Sequence, residues 1–85
     1  MEKKIIFTNH ALVRITKRGT NKEEVIEAIE FGKREQAKDN KIMCRLNLPY
    51  NKIWLDTSYP IKQVVPVIVE EGDEIIVITV YTFYF

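Results

Sequence analysis

The chain holds one histidine, and it stands at the head of a short run of cations: His10, Arg14, Lys17 and Arg18. On an α-helix, residues four apart are displaced by about 40°, so these four side chains gather within an arc of roughly 100°. Guanidinium groups grip phosphate oxygens bidentately, and imidazole is the side chain best suited to moving protons near neutral pH. The face therefore suits a phosphate-binding surface, with Arg14, Lys17 and Arg18 as the anion ligands and His10 as acid or base. The same spacing also describes an ordinary amphipathic helix with solvated cations, whose histidine caps or packs near Thr8. A second set of reactive side chains lies in the last strand-like segment, where Thr79 and Tyr81 could position a substrate or transfer a proton. A tyrosine there can equally be core with its hydroxyl at the rim.

Other chemistries lack their residues. One His and one Cys cannot supply the usual zinc site. Three isolated glycines form no nucleotide-binding loop, and there is no Gly-x-Ser-x-Gly elbow. Cys44 alternates with aliphatic residues and reads as a small buried hydrophobe. Neither a metal nor an organic cofactor is expected. The acids Glu70, Glu71, Asp73 and Glu74 crowd a turn, where solvation accounts for them.

The elements that must carry these residues follow from caps and periodicity. Thr8 or Asn9 can cap a helix beginning near His10, with Leu12 and Ile15 turned to the core and Gly19 ending it. Asn21-Lys22-Glu23-Glu24 is a capping-box pattern that starts a second helix, striped by Val25, Ile26, Ala28, Ile29 and Phe31 and closed by Gly32. The expected spans are about residues 9–18 and 22–31. Lys3 to Phe7 is a short strand or an extended lead-in. Beyond Gly32 the period changes to two. Lys33–Lys38 and Lys41–Leu48 flank Asp39-Asn40, a pair that tolerates positive φ and suits a hairpin. Pro49-Tyr50-Asn51 reads as a break, Lys52–Thr57 as a further strand and Tyr59-Pro60 as a turn. Gln63–Glu70 reads as a strand, with Pro66 implying an edge or a bulge. Glu74–Tyr84 is the strongest strand signal, with Ile76, Ile78 and Val80 on one face and Ile75, Val77, Thr79, Tyr81 and Phe83 on the other. Apolar residues on both faces place it inside a sheet.

With 85 residues the chain fits one domain, spanning 1–85. Its net charge of +1 is unevenly spread. Lys3, Lys4, Arg14, Lys17, Arg18 and Lys22 oppose only Glu2 in the first 22 residues, and the remainder is net acidic. A basic N-terminal region on a mildly acidic body can make a local anion-binding surface, or simply a solvated face. The opening segment is too polar for a signal peptide, no stretch matches a membrane span, and the lone cysteine suits a reducing compartment, so a cytoplasmic location is expected. The aromatic tail Tyr81–Phe85 could be core, a dimer contact or a base-stacking platform, core or dimer contact being the commoner fate; together with the small core it suggests a homodimer.

The run Phe7-Thr8-Asn9-His10-Ala11-Leu12-Val13-Arg14-Ile15-Thr16-Lys17-Arg18-Gly19, followed by Glu23-Glu24-Val25 and Ala28-Ile29, resembles a bacterial family called domain of unknown function 4258. That family opens with His-Ala-x-x-Arg-x-x-x-Arg-Gly and closes with a strand like Val77-Ile78-Thr79-Val80-Tyr81. Thr20 departs from its usual Ile after the glycine. The family looks related to RelE-like toxins and to barnase-type and colicin-type ribonucleases. The resemblance implies an α+β fold with two N-terminal helices packed on a curved, antiparallel sheet. It also implies metal-independent RNA cleavage within a toxin–antitoxin system, with RNA and an antitoxin protein as partners. His10 would be the acid/base, Arg14 and Arg18 the phosphate ligands, and Thr79 and Tyr81 the positioning residues. His10, Arg14 and Arg18 should then line one concave surface near Tyr81. The near-neutral net charge departs from the strongly basic character of ribosome-dependent toxins. The alternatives are a noncatalytic RNA- or protein-binding module of the same fold, or a structural dimer.

Overall fold

The structure, a computed structural model, describes residues 3–85. It begins with a strand, β1 (Lys4–Phe7), followed by α1 (Asn9–Lys17), α2 (Lys22–Phe31), β2 (Lys33–Gln36), β3 (Ile42–Trp54), β4 (Thr57–Glu71) and β5 (Glu74–Tyr84). The five strands form one sheet in the order β1-β5-β4-β3-β2. Strands β2 to β5 are antiparallel to their neighbours, but β1 pairs in parallel with β5, from Lys4 against Glu74 to Phe7 against Val77. This overturns the expected plan of two N-terminal helices on a wholly antiparallel sheet: a strand precedes the helices and the sheet is mixed. The reason is length. Four residues of loose alternation do not reveal a partner seventy positions away, and only the ladder fixes the strand's direction.

Both helices start where their caps predict. The Thr8 side chain accepts from the Ala11 amide and the Asn21 side chain from that of Glu24. Their apolar faces meet one side of the sheet. Ala11, Ile15, Val25, Ala28 and Ile29 pack with Cys44, Val64, Ile68, Ile75, Val77 and Val80 in a single core. Burial raises the Cys44 thiol above its usual pKa, which fits an inert packing residue.

The sheet departs from the sequence reading in two further places. The expected break at Pro49-Tyr50-Asn51 and turn at Tyr59-Pro60 do not occur; β3 and β4 run on together as a long hairpin arm that turns at Leu55-Asp56, both at positive φ (50° and 66°). The ladder shifts between Pro49 and Lys52, so Tyr50 and Asn51 together face Pro60 in a bulge. Pro66 lies in β4, an interior strand, opposite Val80 of β5 and next to the pair Val67–Thr79 where that ladder slips, so the edge position, one of the two expected for it, does not occur. In β5 the register slips at Ile78, because Val67 faces Thr79 whereas Ile68 faces Val77. The side chains change phase there. Ile75 and Val77 point to the core before the slip, Val80 and Thr82 after it, and Tyr81 and Phe83 are exposed. The strict alternation expected for β5 fails at this one residue.

The α1–α2 joint is bound to the far end of the sheet. Gly19 has φ +74°, and the Trp54 ring lies where a Cβ would stand, 2.5 Å away. The Arg18 carbonyl accepts from the Thr82 hydroxyl at 2.8 Å and the Tyr84 hydroxyl at 2.6 Å. The Gly19 carbonyl accepts from the Lys62 ammonium at 3.0 Å, which also pairs with Glu24 at 2.7 Å. Trp54 stacks on Tyr84 with centroids 4.8 Å apart, and Tyr50 and Tyr59 pack on the same ring. Among the described residues no helix is long and apolar enough to cross a membrane.

Two outcomes follow. Gly19→Ala combines a left-handed backbone with a clash on Trp54 and should destabilise by about 2–4 kcal/mol, seen as a melting point lower by roughly 10–20 °C. Burial raises the pKa of Tyr84; the Thr82 hydroxyl opposes this in part, and Tyr50 and Glu24 add smaller increases. The folded state therefore prefers the neutral phenol. That contribution is whole below the unfolded tyrosine value near 10 and lost as pH rises through the higher folded value. Denaturant titrations above about pH 10 should show wild type losing stability more steeply than Tyr84→Phe; equal slopes would refute it.

Candidate functional site

Beyond Val77, β5 leaves β1 behind, since β1 pairs only as far as that residue. Helix α1 takes the vacated side. Thr8 makes the junction: its hydroxyl donates to the carbonyls of Val77 at 3.0 Å and Ile78 at 3.1 Å and accepts from the Ala11 amide. One side chain thus caps the helix and holds the bulge, so His10 is fixed relative to Thr79 although 69 residues separate them.

The structure brings His10, Arg14 and Thr79 into direct contact. His10 Nε2 lies 3.1 Å from Thr79 Oγ1, and Arg14 Nε lies 3.5 Å from the same nitrogen. A guanidinium can only donate, so the long Arg14 contact is a hydrogen bond only when Nε2 carries a lone pair, to which the Thr79 hydroxyl can also donate. The arrangement matches the imidazole tautomer with its proton on Nδ1 and an accepting Nε2. One turn further on, the Arg18 guanidinium lies 5.5 Å from the centre of the Tyr81 ring. Lys17 is exposed and belongs to none of the hydrogen bonds or ion pairs among the described residues.

The electrostatics of this face are defined by where the acids go. Glu24 serves Lys62, Glu35 serves Arg45, and Glu70 serves both Lys3 and Arg34. The Lys3 hydrogen bond, with help from Arg34, holds the Glu70 carboxyl below its usual range. None of the ion pairs among the described residues includes Arg14, Lys17 or Arg18. Arg14 therefore stands beside His10, and Lys17 and Arg18 further along the same helix, with no carboxylate paired to them among the described residues. No cluster of three or more His, Cys, Asp or Glu side chains suited to a metal ion occurs among the described residues.

The single concave surface expected to gather His10, Arg14 and Arg18 near Tyr81 is not what the structure shows: the groove at Tyr81 lies on the helix-free face of the sheet and none of the three lines it. Thr79 and Tyr81 line it, together with Met43, Val67, Ile78 and Phe83, whereas His10, Arg14 and Arg18 stand on the adjoining helix. Phe83 belongs to the aromatic tail for which core, a dimer contact and a base-stacking platform are all open in the sequence, whereas Met43 and the β2–β3 turn carry no site signal there. The only signal for them was alternation, and the slip at Ile78 changes which residues alternation puts together. Thr8 was legible as a cap, but its bond to β5 was not.

Searches against protein-family models, curated proteins and solved structures find no match to this chain.

The single histidine makes the tautomer directly observable. A long-range ¹H–¹⁵N spectrum of the neutral ring should show Nδ1 protonated and Nε2 bare in wild type, with the preference weakened in Thr79→Val. A ring protonated on Nε2 in wild type would overturn the assignment.

Proposed function

We propose that the chain is a toxin-like, metal-independent endoribonuclease. The observation that carries the reading is the grouping of an accepting His10 Nε2 with Arg14, Lys17 and Arg18, cations that no described acid neutralises. The motifs shared with the toxin-related family, at His10–Gly19 and Val77–Tyr81, point the same way. In the reaction, His10 takes the proton of a ribose 2′-hydroxyl. The 2′-oxygen forms a bond to the adjacent phosphorus, and the bond from phosphorus to the 5′-oxygen breaks. The Tyr81 phenol is the candidate donor of a proton to the leaving 5′-oxygen. The products are a 2′,3′-cyclic phosphate and a free 5′-hydroxyl. Arg14 and Arg18 neutralise the charge that develops on the phosphoryl oxygens, Lys17 adds attraction at longer range, and Thr79 orients the imidazole. An antitoxin protein that covers the basic face, a homodimeric assembly and a cytoplasmic location belong to the same reading.

The test is incubation of purified protein with RNA in the presence of a chelator, with and without ribosomes. Wild type should leave cyclic phosphate ends. His10→Ala should lower cleavage by about 10²–10⁴-fold with little change in binding, whereas Arg14→Ala should weaken binding and flatten its dependence on salt. Cleavage that the chelator abolishes refutes the metal-free mechanism. Binding without cleavage in either format makes the protein a noncatalytic RNA-binding module.

A further inference from the structure

The helix-free face of the sheet carries a groove of about 580 Å³, within the range of roughly 300–1,000 Å³ typical of sites for small organic groups. Its floor is apolar, formed by Met43, Val67 and Ile78, and two aromatic side chains stand in it, Tyr81 and Phe83. Both are unusually open for strand aromatics, 38% and 46% exposed. The far rim is the β2–β3 turn, where Lys38 and Lys41 flank Asp39. No residue of α1 lines the groove, but Arg18 reaches Tyr81 from that helix, its guanidinium 5.5 Å from the ring centre. An apolar, aromatic floor thus runs between the lysine rim and the Arg18 side chain, and it shares Thr79 with the His10 cluster.

From this we infer that the groove is a binding site for unpaired nucleotides, with one or two bases stacked on Tyr81 and Phe83 and the flanking phosphates held by Lys38 and Lys41. The inference deepens the ribonuclease reading by naming its substrate as single-stranded. Charge complementarity selects the occupant. A flat apolar ring joined to an anionic backbone matches an aromatic floor flanked by basic side chains, whereas a purely apolar peptide or a second copy of this chain would leave the lysines unused. Stacking tolerates any base, because every base has a π-face. The Asp39 carboxylate can accept a hydrogen bond from an exocyclic amine and repels phosphate, which favours bases lying inward and the backbone outward. A duplex keeps its base faces stacked inside and cannot present them to this floor.

The experiment measures binding without turnover. A fluorescent 2′-O-methyl oligonucleotide has no free 2′-hydroxyl and cannot be cleaved by the proposed route. Its anisotropy should report binding at least tenfold tighter when unpaired than when annealed to its complement. Phe83→Leu keeps apolar bulk and loses the ring plane, and should weaken unpaired binding roughly 5- to 100-fold, while Phe83→Trp restores it. Circular dichroism checks that both variants are folded. Lys38→Ala with Lys41→Ala should make the slope of log affinity against log salt shallower by about 1.4, as expected for two phosphates on a single strand. Equal affinity for duplex and single strand, or a Phe83→Leu variant that binds like wild type, overturns the groove assignment whether or not RNA is cleaved. Loss of binding in Phe83→Leu, in a protein that never cleaves natural RNA, upholds the groove and ends the nuclease reading. No binding of either oligonucleotide refutes the groove assignment and leaves a protein partner for it, while the nuclease reading stands or falls on the cleavage assay.

Discussion

Two carbonyl groups at the joint between the helices hold this architecture in place. At the end of a helix the last carbonyls have no intrahelical donor and must find one elsewhere. Here Arg18 O takes the hydroxyls of Thr82 and Tyr84, and Gly19 O takes the Lys62 ammonium. Those donors come from the end of β5 and the middle of β4, so satisfying one helix terminus fixes α1 against the sheet. The Lys62 charge is almost fully covered and is compensated by Glu24; an uncompensated charge at that depth would cost several kcal/mol, of order 3–5. Gly19 is required because the Trp54 ring fills the space a side chain would occupy. The far end of α1 is held independently by Thr8, and a helix pinned at both ends presents the side chains between them, His10 and Arg14, in a fixed orientation.

The bulge at Ile78 completes the placement. It shifts the phase of β5, so Ile75, Val77, Val80 and Thr82 all serve the helix side while Tyr81 and Phe83 open onto the opposite face. Without it, Val80 or Val77 would have to leave the core. Thr79, at the slip itself, is the residue through which the cationic helix and the aromatic face communicate, since it touches His10 and also lines the groove.

The helices were legible in the sequence because their signals are local. Thr8 and Asn21 cap them, Gly19 and Gly32 end them, and the observed spans Asn9–Lys17 and Lys22–Phe31 agree with the expected ones. The Asp39-Asn40 turn was legible for the same reason, both residues having positive φ. The parallel pairing of β1, the bulges opposite Pro60 and at Ile78, and the turn at Leu55-Asp56 were not. Each depends on a partner strand far away in sequence, and Leu55 at positive φ breaks the usual turn chemistry. For the site, the helical arc placed His10 and Arg14 side by side, and Thr79 and Tyr81 were identified as residues but on one face with Ile75 and Val77, from which the slip separates Tyr81. The open groove with Met43 and Phe83 required knowledge of the slip.

The distance along the chain between His10 and Thr79 also governs when the site can exist. Its two halves lie 69 residues apart, and β1 and α1 meet their partner only through β5, the last strand. Contacts of such long sequence separation form late and slowly. During synthesis the helices can form early, but they face an unfilled place in the sheet until β5 has left the ribosome. A nascent chain consequently carries the basic helix without the hydroxyl that orients its histidine. The pairing of His10 with Thr79 arises only once β5 is in place, rather than accumulating as the polypeptide grows.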